Sequence, residues 1–214
     1  MIFKQDVKNA AYYALDSYSL SSKYENRISY FLRGSLSFSV YKTGKTVYVS
    51  FRGTNNVRNI VSDVRFIPWY SKRFGWTHKG FLTSFRKLKP SLSRVILKYY
   101  QPGYRIIFTG HSLGAAVSQL AVVWAAHHFP NLSVSCITFA SPKVGYSSFG
   151  NRIKKLFHLR VYNPDDPVTM IPPGWFYKHF ASDTLKVKDG DDDWFDTGEH
   201  SMELYKQLIA KLGQ

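Results

Sequence analysis

Arg105-Ile106-Ile107-Phe108-Thr109-Gly110-His111-Ser112-Leu113-Gly114-Ala115-Ala116 decides the fold of this 214-residue chain. Tyr104 to Phe108 is a compact apolar run of strand type, and Ser112 to His128 is Ala-rich and apolar enough to form a largely buried helix. Gly110-x-Ser112-x-Gly114 stands at the junction. A strand that turns sharply into a helix forces the serine into a strained backbone and leaves room only for glycine on either side, so the pattern reads as a nucleophile elbow. The hydroxyl is then presented at the carboxyl end of the sheet. The N–H of Leu113, at the helix N-terminus, faces a developing oxyanion. The chemistry this points to is acyl transfer through Ser112.

The flanking sequence continues the alternation. Leu132 to Ala140 reads as a strand, Tyr146 to Leu156 as a helix and Leu156 to Tyr162 as a strand. Strands and helices in such alternation build a parallel sheet with crossover helices. Upstream, residues 5 to 18 read as a helix. Two strand-like runs, Ile28 to Tyr41 and Thr46 to Phe51, with Thr43-Gly44-Lys45 as the turn, read as an antiparallel hairpin. Val57, Ile60, Val61 and Val64 recur at helical spacing and predict a short helix with one apolar stripe. Lys79 to Tyr100 is helical, with Pro90 expected to kink it or divide it in two. After Pro172-Pro173, Phe176 to Lys188 reads as one more strand and Ser201 to Leu212 as a closing helix. With no repeat, low-complexity tract or linker, the expectation is a single α/β domain over residues 1–214, with a mostly parallel central sheet and helices on both faces.

A domain of this length buries about 70% of its unfolded surface. At 44% apolar and 17% aromatic, the composition supplies a packed core and excludes a disordered chain. Cys136 is the only cysteine, so no intramolecular disulfide forms, and its apolar neighbours mark it as core filler rather than a nucleophile. The first twenty residues lack the unbroken apolar run of a secretory leader, and no segment is long enough to span a membrane. The expectation drawn is a cytoplasmic protein, or one exported by a non-classical route.

The net charge of +15 is unevenly placed. Between Arg58 and Arg105 eleven Lys or Arg stand against one acid, Asp63, whereas eight of the fourteen acids fall between Asp183 and Glu203. Such asymmetry suits an anionic partner, phospholipid head groups or nucleic acid. The turn Asp189-Gly190-Asp191-Asp192-Asp193 does not follow the calcium-loop order, and neither metal nor cofactor is expected.

A hydrolase of this architecture orders its triad serine, acid, histidine along the chain. Of seven histidines, five precede every suitable acid, which leaves His179 and His200. His200 follows a loop and precedes a helix, where an imidazole can reach over the sheet edge. His179 lies inside a strand-like run and reads as structural. The acid follows a strand, as Asp165 or Asp166 does. A second oxyanion donor comes from another loop. Thr54, just after the strand ending at Phe51, offers both an N–H and a hydroxyl, and also suits a helix N-cap.

Taken together, six blocks resemble the fungal-type, or class 3, triacylglycerol lipases. They are Phe51-Arg52-Gly53-Thr54, His78-Lys79-Gly80-Phe81, Thr109 to Gly114, Phe139-Ala140-Ser141-Pro142-Lys143-Val144-Gly145, Asn163 to Val168 with Ile171-Pro172-Pro173, and His200-Ser201-Met202, in family order. Ala115 stands where the family usually has glycine. The resemblance implies an α/β-hydrolase fold, Asp166 as the triad acid, His200 as the base and Thr54 as the side-chain oxyanion donor. It also implies a short helical lid over about 55–66, and hydrolysis of lipid esters. Val57, Ile60, Val61 and Val64 would then be the lid stripe. With Trp69, Tyr70 and Trp76 set among Arg65, Lys72, Arg73 and Lys79, it suggests docking on an anionic membrane. The rival reading is an inert hydrolase scaffold serving as a basic nucleic-acid or anionic-surface module. It fits the charge, but no nucleic-acid motif supports it.

Overall fold

The computed structural model describes residues 3–54, 66–187 and 201–211. Among these, α1 (Lys4–Asp16) is followed by β1 (Arg27–Arg33), β2 (Leu36–Thr43) and β3 (Thr46–Phe51), then by β4 (Pro68–Ser71) and β5 (Gly75–His78). Next come α2 (Lys79–Tyr99), β6 (Arg105–His111), α3 (Leu113–His128), β7 (Ser133–Phe139), α4 (Ser147–Ile153) and β8 (Phe157–Tyr162). A 3₁₀ turn (Pro167–Met170), β9 (Asp183–Lys186) and α5 (Met202–Lys211) complete the set.

Seven strands form one sheet in the order β1-β2-β3-β6-β7-β8-β9. The pairs β1–β2 and β2–β3 are antiparallel, and every pair from β3–β6 to β8–β9 is parallel. This is the expected mostly parallel α/β sheet. Alternation along each strand sends Val47, Val49, Ile106 and Phe108 to the face covered by α2 and α3, and Tyr48, Ile107 and Ile137 to the face covered by α1 and α5. Helix α3 is buried along most of its length because it packs on the sheet while α2 and α4 flank it, which is why its sequence shows no polar stripe.

Two expectations need correction, and a third, at Pro90, is narrowed. The run Ile28 to Tyr41 is two strands, because Gly34 adopts φ +62° and reverses the chain between Arg33 and Leu36. Helix α2 is not divided at Pro90. The ring stands on the exposed face, as does Arg86, whose carbonyl loses its helical donor. Among the described residues of the run Phe176 to Lys188, only Asp183–Lys186 is a strand. The part before it makes single bridging contacts, such as Lys178 N–H to the Gly145 carbonyl at 3.2 Å. The small hairpin β4–β5 was not anticipated. The expected lid helix, with Val57, Ile60, Val61 and Val64, lies outside the described residues, as do His200 and the acidic turn.

Helix α1 is pinned to the sheet by buried carboxylates. Asp6 takes a two-pronged contact from Arg105, at 2.8 Å on each oxygen, and a 2.7 Å bond from the Tyr48 hydroxyl. Burial pushes the Asp6 carboxyl up, but the bonds from Arg105, the Phe3 N–H and Tyr48 outweigh it and hold the group below its ordinary value. At the other end, Asp16 accepts from the Tyr41 hydroxyl at 2.7 Å.

Candidate active site

Ser112 sits between β6 and α3 with φ 57° and ψ −124°, one of two positive-φ residues other than glycine among those described. Such backbone costs about 1–3 kcal/mol and persists only where the surroundings impose it. Here they do. The Ser112 N–H donates to the Phe139 carbonyl on β7 at 3.1 Å, and the Ser112 carbonyl accepts the Ala116 N–H at 3.2 Å.

The flanking glycines are needed for a reason the motif alone does not state: neither has positive φ. A methyl group on Gly110 would meet the Gly114 carbonyl carbon at 2.6 Å and the Phe51 oxygen at 2.8 Å. One on Gly114 would collide with the Phe51 carbonyl oxygen and lie 2.8 Å from its carbon. The elbow is thus pressed against the end of β3, backbone on backbone. Because Phe51 pairs with Gly110 in parallel register, the chain beyond it, Arg52-Gly53-Thr54, leaves the sheet beside the elbow. Gly53 is equally confined, its added methyl lying 2.6 Å from the His111 carbonyl.

The Ser112 hydroxyl is buried and makes no hydrogen bond among the described residues. Leu113 opens α3, so its N–H belongs to the unbonded, positive end of that helix. Thr54 is exposed. Beside Leu113 opens a largely apolar cleft of about 430 Å³, lined in part by Ile67, His78, Phe81 and Thr83. It offers an apolar surface for an acyl chain.

Asp166 follows β8, two parallel strands along from β6, and so lies at the same end of the sheet as Ser112. It is buried, whereas Asp165 is half-buried. One Asp166 oxygen accepts the Val168 N–H at 2.9 Å and caps the 3₁₀ turn, and the other accepts the Tyr205 hydroxyl at 3.0 Å. Tyr205 in turn accepts the Asn163 N–H at 2.8 Å. Burial pushes its phenol far up and the Asp166 carboxylate adds to this, so it remains a donor. Sequence reading missed Tyr205. Its signal was a lone tyrosine in the first turns of the helix after His200, facing His111 and Phe139, whose rings lie 6.0 and 6.4 Å away.

His179 does not join this group. Its Nε2 lies 2.6 Å from the Thr169 carbonyl and 3.2 Å from Arg160. Burial first, and the Arg160 charge second, hold it down to about 3, a neutral ring tying the strand-like segment to the 3₁₀ turn. His158, buried between Thr138 and the Phe180 carbonyl, is held down to about 4 by burial. Cys136 is fully buried on β7 and its thiol is pushed up by that burial, which agrees with a core role.

A family model described as Lipase (class 3) matches residues 48–176, which include the elbow, the Thr54 segment and Asp166. The chain belongs to the class 3 lipase family. The match covers five of the six blocks and ends before His200. A lipase of Rhizomucor miehei is 33% identical over 154 residues, covering 68% of this chain and 42% of that protein. The secreted mono- and diacylglycerol lipase 1 of Fusarium solani is 32% identical over 143 residues, covering 63% of this chain and 42% of its own length. The chain therefore spans less than half the length of these curated relatives. In three dimensions it is similar to the Rhizomucor miehei lipase propeptide complex, with a TM-score of 0.78 at 23% identity over 96% of this chain and 78% of that one. That likeness supports the α/β-hydrolase fold. The expectation of a cytoplasmic or non-classically exported protein is overturned, since the Fusarium solani relative is by name a secreted enzyme. The make-up of the first twenty residues carries no weight on that question.

Proposed function

We propose that this class 3 lipase family member hydrolyses lipid carboxylic esters through an acyl-enzyme on Ser112. The observation that carries the reading is the strained elbow, which holds a buried hydroxyl, with no hydrogen-bond partner among the described residues, at the positive end of α3. In the first step Ser112 Oγ attacks the ester carbonyl while its proton passes to His200. The carbonyl oxygen becomes an oxyanion held by the Leu113 N–H and by Thr54. Each such donor contributes about 3–4 kcal/mol to the transition state. His200 returns the proton to the leaving alcohol. A water molecule, activated by His200, then attacks the acyl carbon and frees the acid. Asp166 fixes the tautomer of His200 and balances the imidazolium.

The whole chain, 1–214, serves as one catalytic domain, with 55–66 as its lid. Trp69, Tyr70 and Trp76 are about half exposed, with Lys79 5.1 Å from the Trp69 ring, and Trp175 is 90% exposed. Amphipathic aromatics beside cations suit docking at an anionic lipid interface. An inert binding scaffold has no use for a strained serine. The test is hydrolysis of p-nitrophenyl butyrate together with fluorophosphonate labelling. Ser112→Ala loses both, and His200→Ala loses turnover by about 10⁴-fold or more. Turnover retained by either variant refutes the assignment.

A further inference from the structure

At the end of α3 remote from Ser112, a separate cavity of about 340 Å³ is bordered by Lys72, Arg73, Arg152 and Lys155, with His127 beside them. Its α3 lining residues, Val123 to His127, stand 11 to 15 residues past Ser112, which at about 1.5 Å each places the cavity roughly 16–22 Å along α3 from the elbow. The cations come from different parts of the chain: the β4–β5 turn, the last turn of α4 and the link into β8. Among the described residues, no carboxylate lines the cavity. Among the described residues, the ion pairs of Arg27 with Asp16 and of Arg105 with Asp6 involve none of these groups. Four like charges around one opening repel each other, and the −0.5 charge at the C-terminus of α3 offsets only a fraction of them. A bound anion relieves the remainder.

The guanidinium groups are held in place before any ligand arrives. Arg152 donates to the Ser148 carbonyl and, at 3.0 Å, to the Lys72 carbonyl, so α4 and the hairpin turn are tied together at the rim. Arg73 lies 2.6 Å from both ring nitrogens of His128, and His128 Nδ1 is 2.9 Å from the Trp124 carbonyl. Burial first, with the charges of Arg73 and Lys89, holds His128 below the usual imidazole value. The floor, Val123 and Leu156, is apolar. Two guanidinium forks already placed by the fold, with two exposed lysines, match the several oxygens and the charge of a phosphate better than a single carboxylate, and the floor suits the organic part of an ester.

We propose that this pocket binds the phosphate group of an organic phosphate ester, either a soluble one or a lipid head group, at a site distinct from the ester-hydrolysing cleft. The proposal does not depend on the role of Ser112.

The test has two arms. In the first, sn-glycerol 3-phosphate is titrated into the protein by calorimetry at low ionic strength, with acetate as the control anion. In the second, flotation measures recruitment to phosphatidylcholine vesicles with and without phosphatidic acid. Lys72 and Lys155 are exposed, so Lys72→Ala/Lys155→Ala leaves the fold intact. This double variant weakens glycerol phosphate binding by about ten-fold or more, while Lys23→Ala/Arg33→Ala, which removes the same charge beside β1, does not. Hydrolysis of p-nitrophenyl butyrate, a soluble ester that needs no membrane docking, stays unchanged in both. Soluble binding without vesicle recruitment assigns the pocket to a free phosphate ester, and phosphatidic acid-dependent recruitment lost in the first variant assigns it to a lipid head group. Failure of the wild type in both arms, acetate binding as well as glycerol phosphate, or equal loss in the two variants overturns the proposal.

Discussion

Replacing Tyr205 with phenylalanine removes one oxygen from behind the proposed catalytic acid and leaves the ring packing on His111 and Phe139 in place. That oxygen makes two buried bonds, accepting from the Asn163 N–H at 2.8 Å and donating to Asp166 at 3.0 Å. A neutral bond contributes about 0.5–1.5 kcal/mol and one to a carboxylate about 1.5–3 kcal/mol, so the variant loses on the order of 2–4 kcal/mol of stability. For a domain of this size each kcal/mol lowers Tm by about 2–4 °C, which gives a fall of roughly 4–16 °C by calorimetry. The catalytic consequence is separable. If Tyr205 acts as a positioning residue that aims the Asp166 carboxylate at His200, about 1.4 kcal/mol of lost orientation lowers kcat about ten-fold. KM for a short ester stays the same, because Tyr205 touches no substrate. Assays well below the new Tm keep the two effects apart. A variant with lowered Tm but kcat within a factor of two of wild type refutes the positioning role. One with unchanged Tm refutes the bond accounting itself.

Gly114→Ala sets a methyl group against the backbone of Phe51, which cannot rotate away, so α3 must retreat from β3. A cost of about 1–3 kcal/mol or more is expected in urea unfolding, together with a larger loss of kcat than Gly44→Ala causes in the open turn between β2 and β3. Asp6→Asn breaks the two-pronged contact with Arg105 and lowers stability at pH 7 by on the order of 2 kcal/mol. The folded-state pKa of Asp6 lies below its ordinary 3.8, so the stability it contributes is present above that pH and is lost as pH falls through the folded value. Wild-type and variant urea midpoints therefore converge on acidification from pH 5 towards pH 2, and a constant gap over that range contradicts the assignment.

The sequence by itself determined the parts of this protein that depend on near neighbours. The apolar run before Gly110, the buried helix after Ser112 and the alternation around them required a parallel sheet with an elbow, because strand and helix periodicities are local properties of the chain. Chain order separated His200 from five other histidines, and ordered blocks carried the family. The tertiary structure decided what depends on which backbone meets which. It showed that Gly110 and Gly114 are needed because β3 presses on the elbow, which no spacing rule conveys, since Phe51 lies more than fifty residues away. It brought Tyr205 against Asp166, split the first strand at Gly34 and carried α2 through Pro90 on its wet face. It also gathered Lys72, Arg73, Arg152 and Lys155 from separate stretches around one cavity. Charge counted along the chain had marked the first two as part of a basic run. Only folding set them opposite the other two, where their fields add at short range.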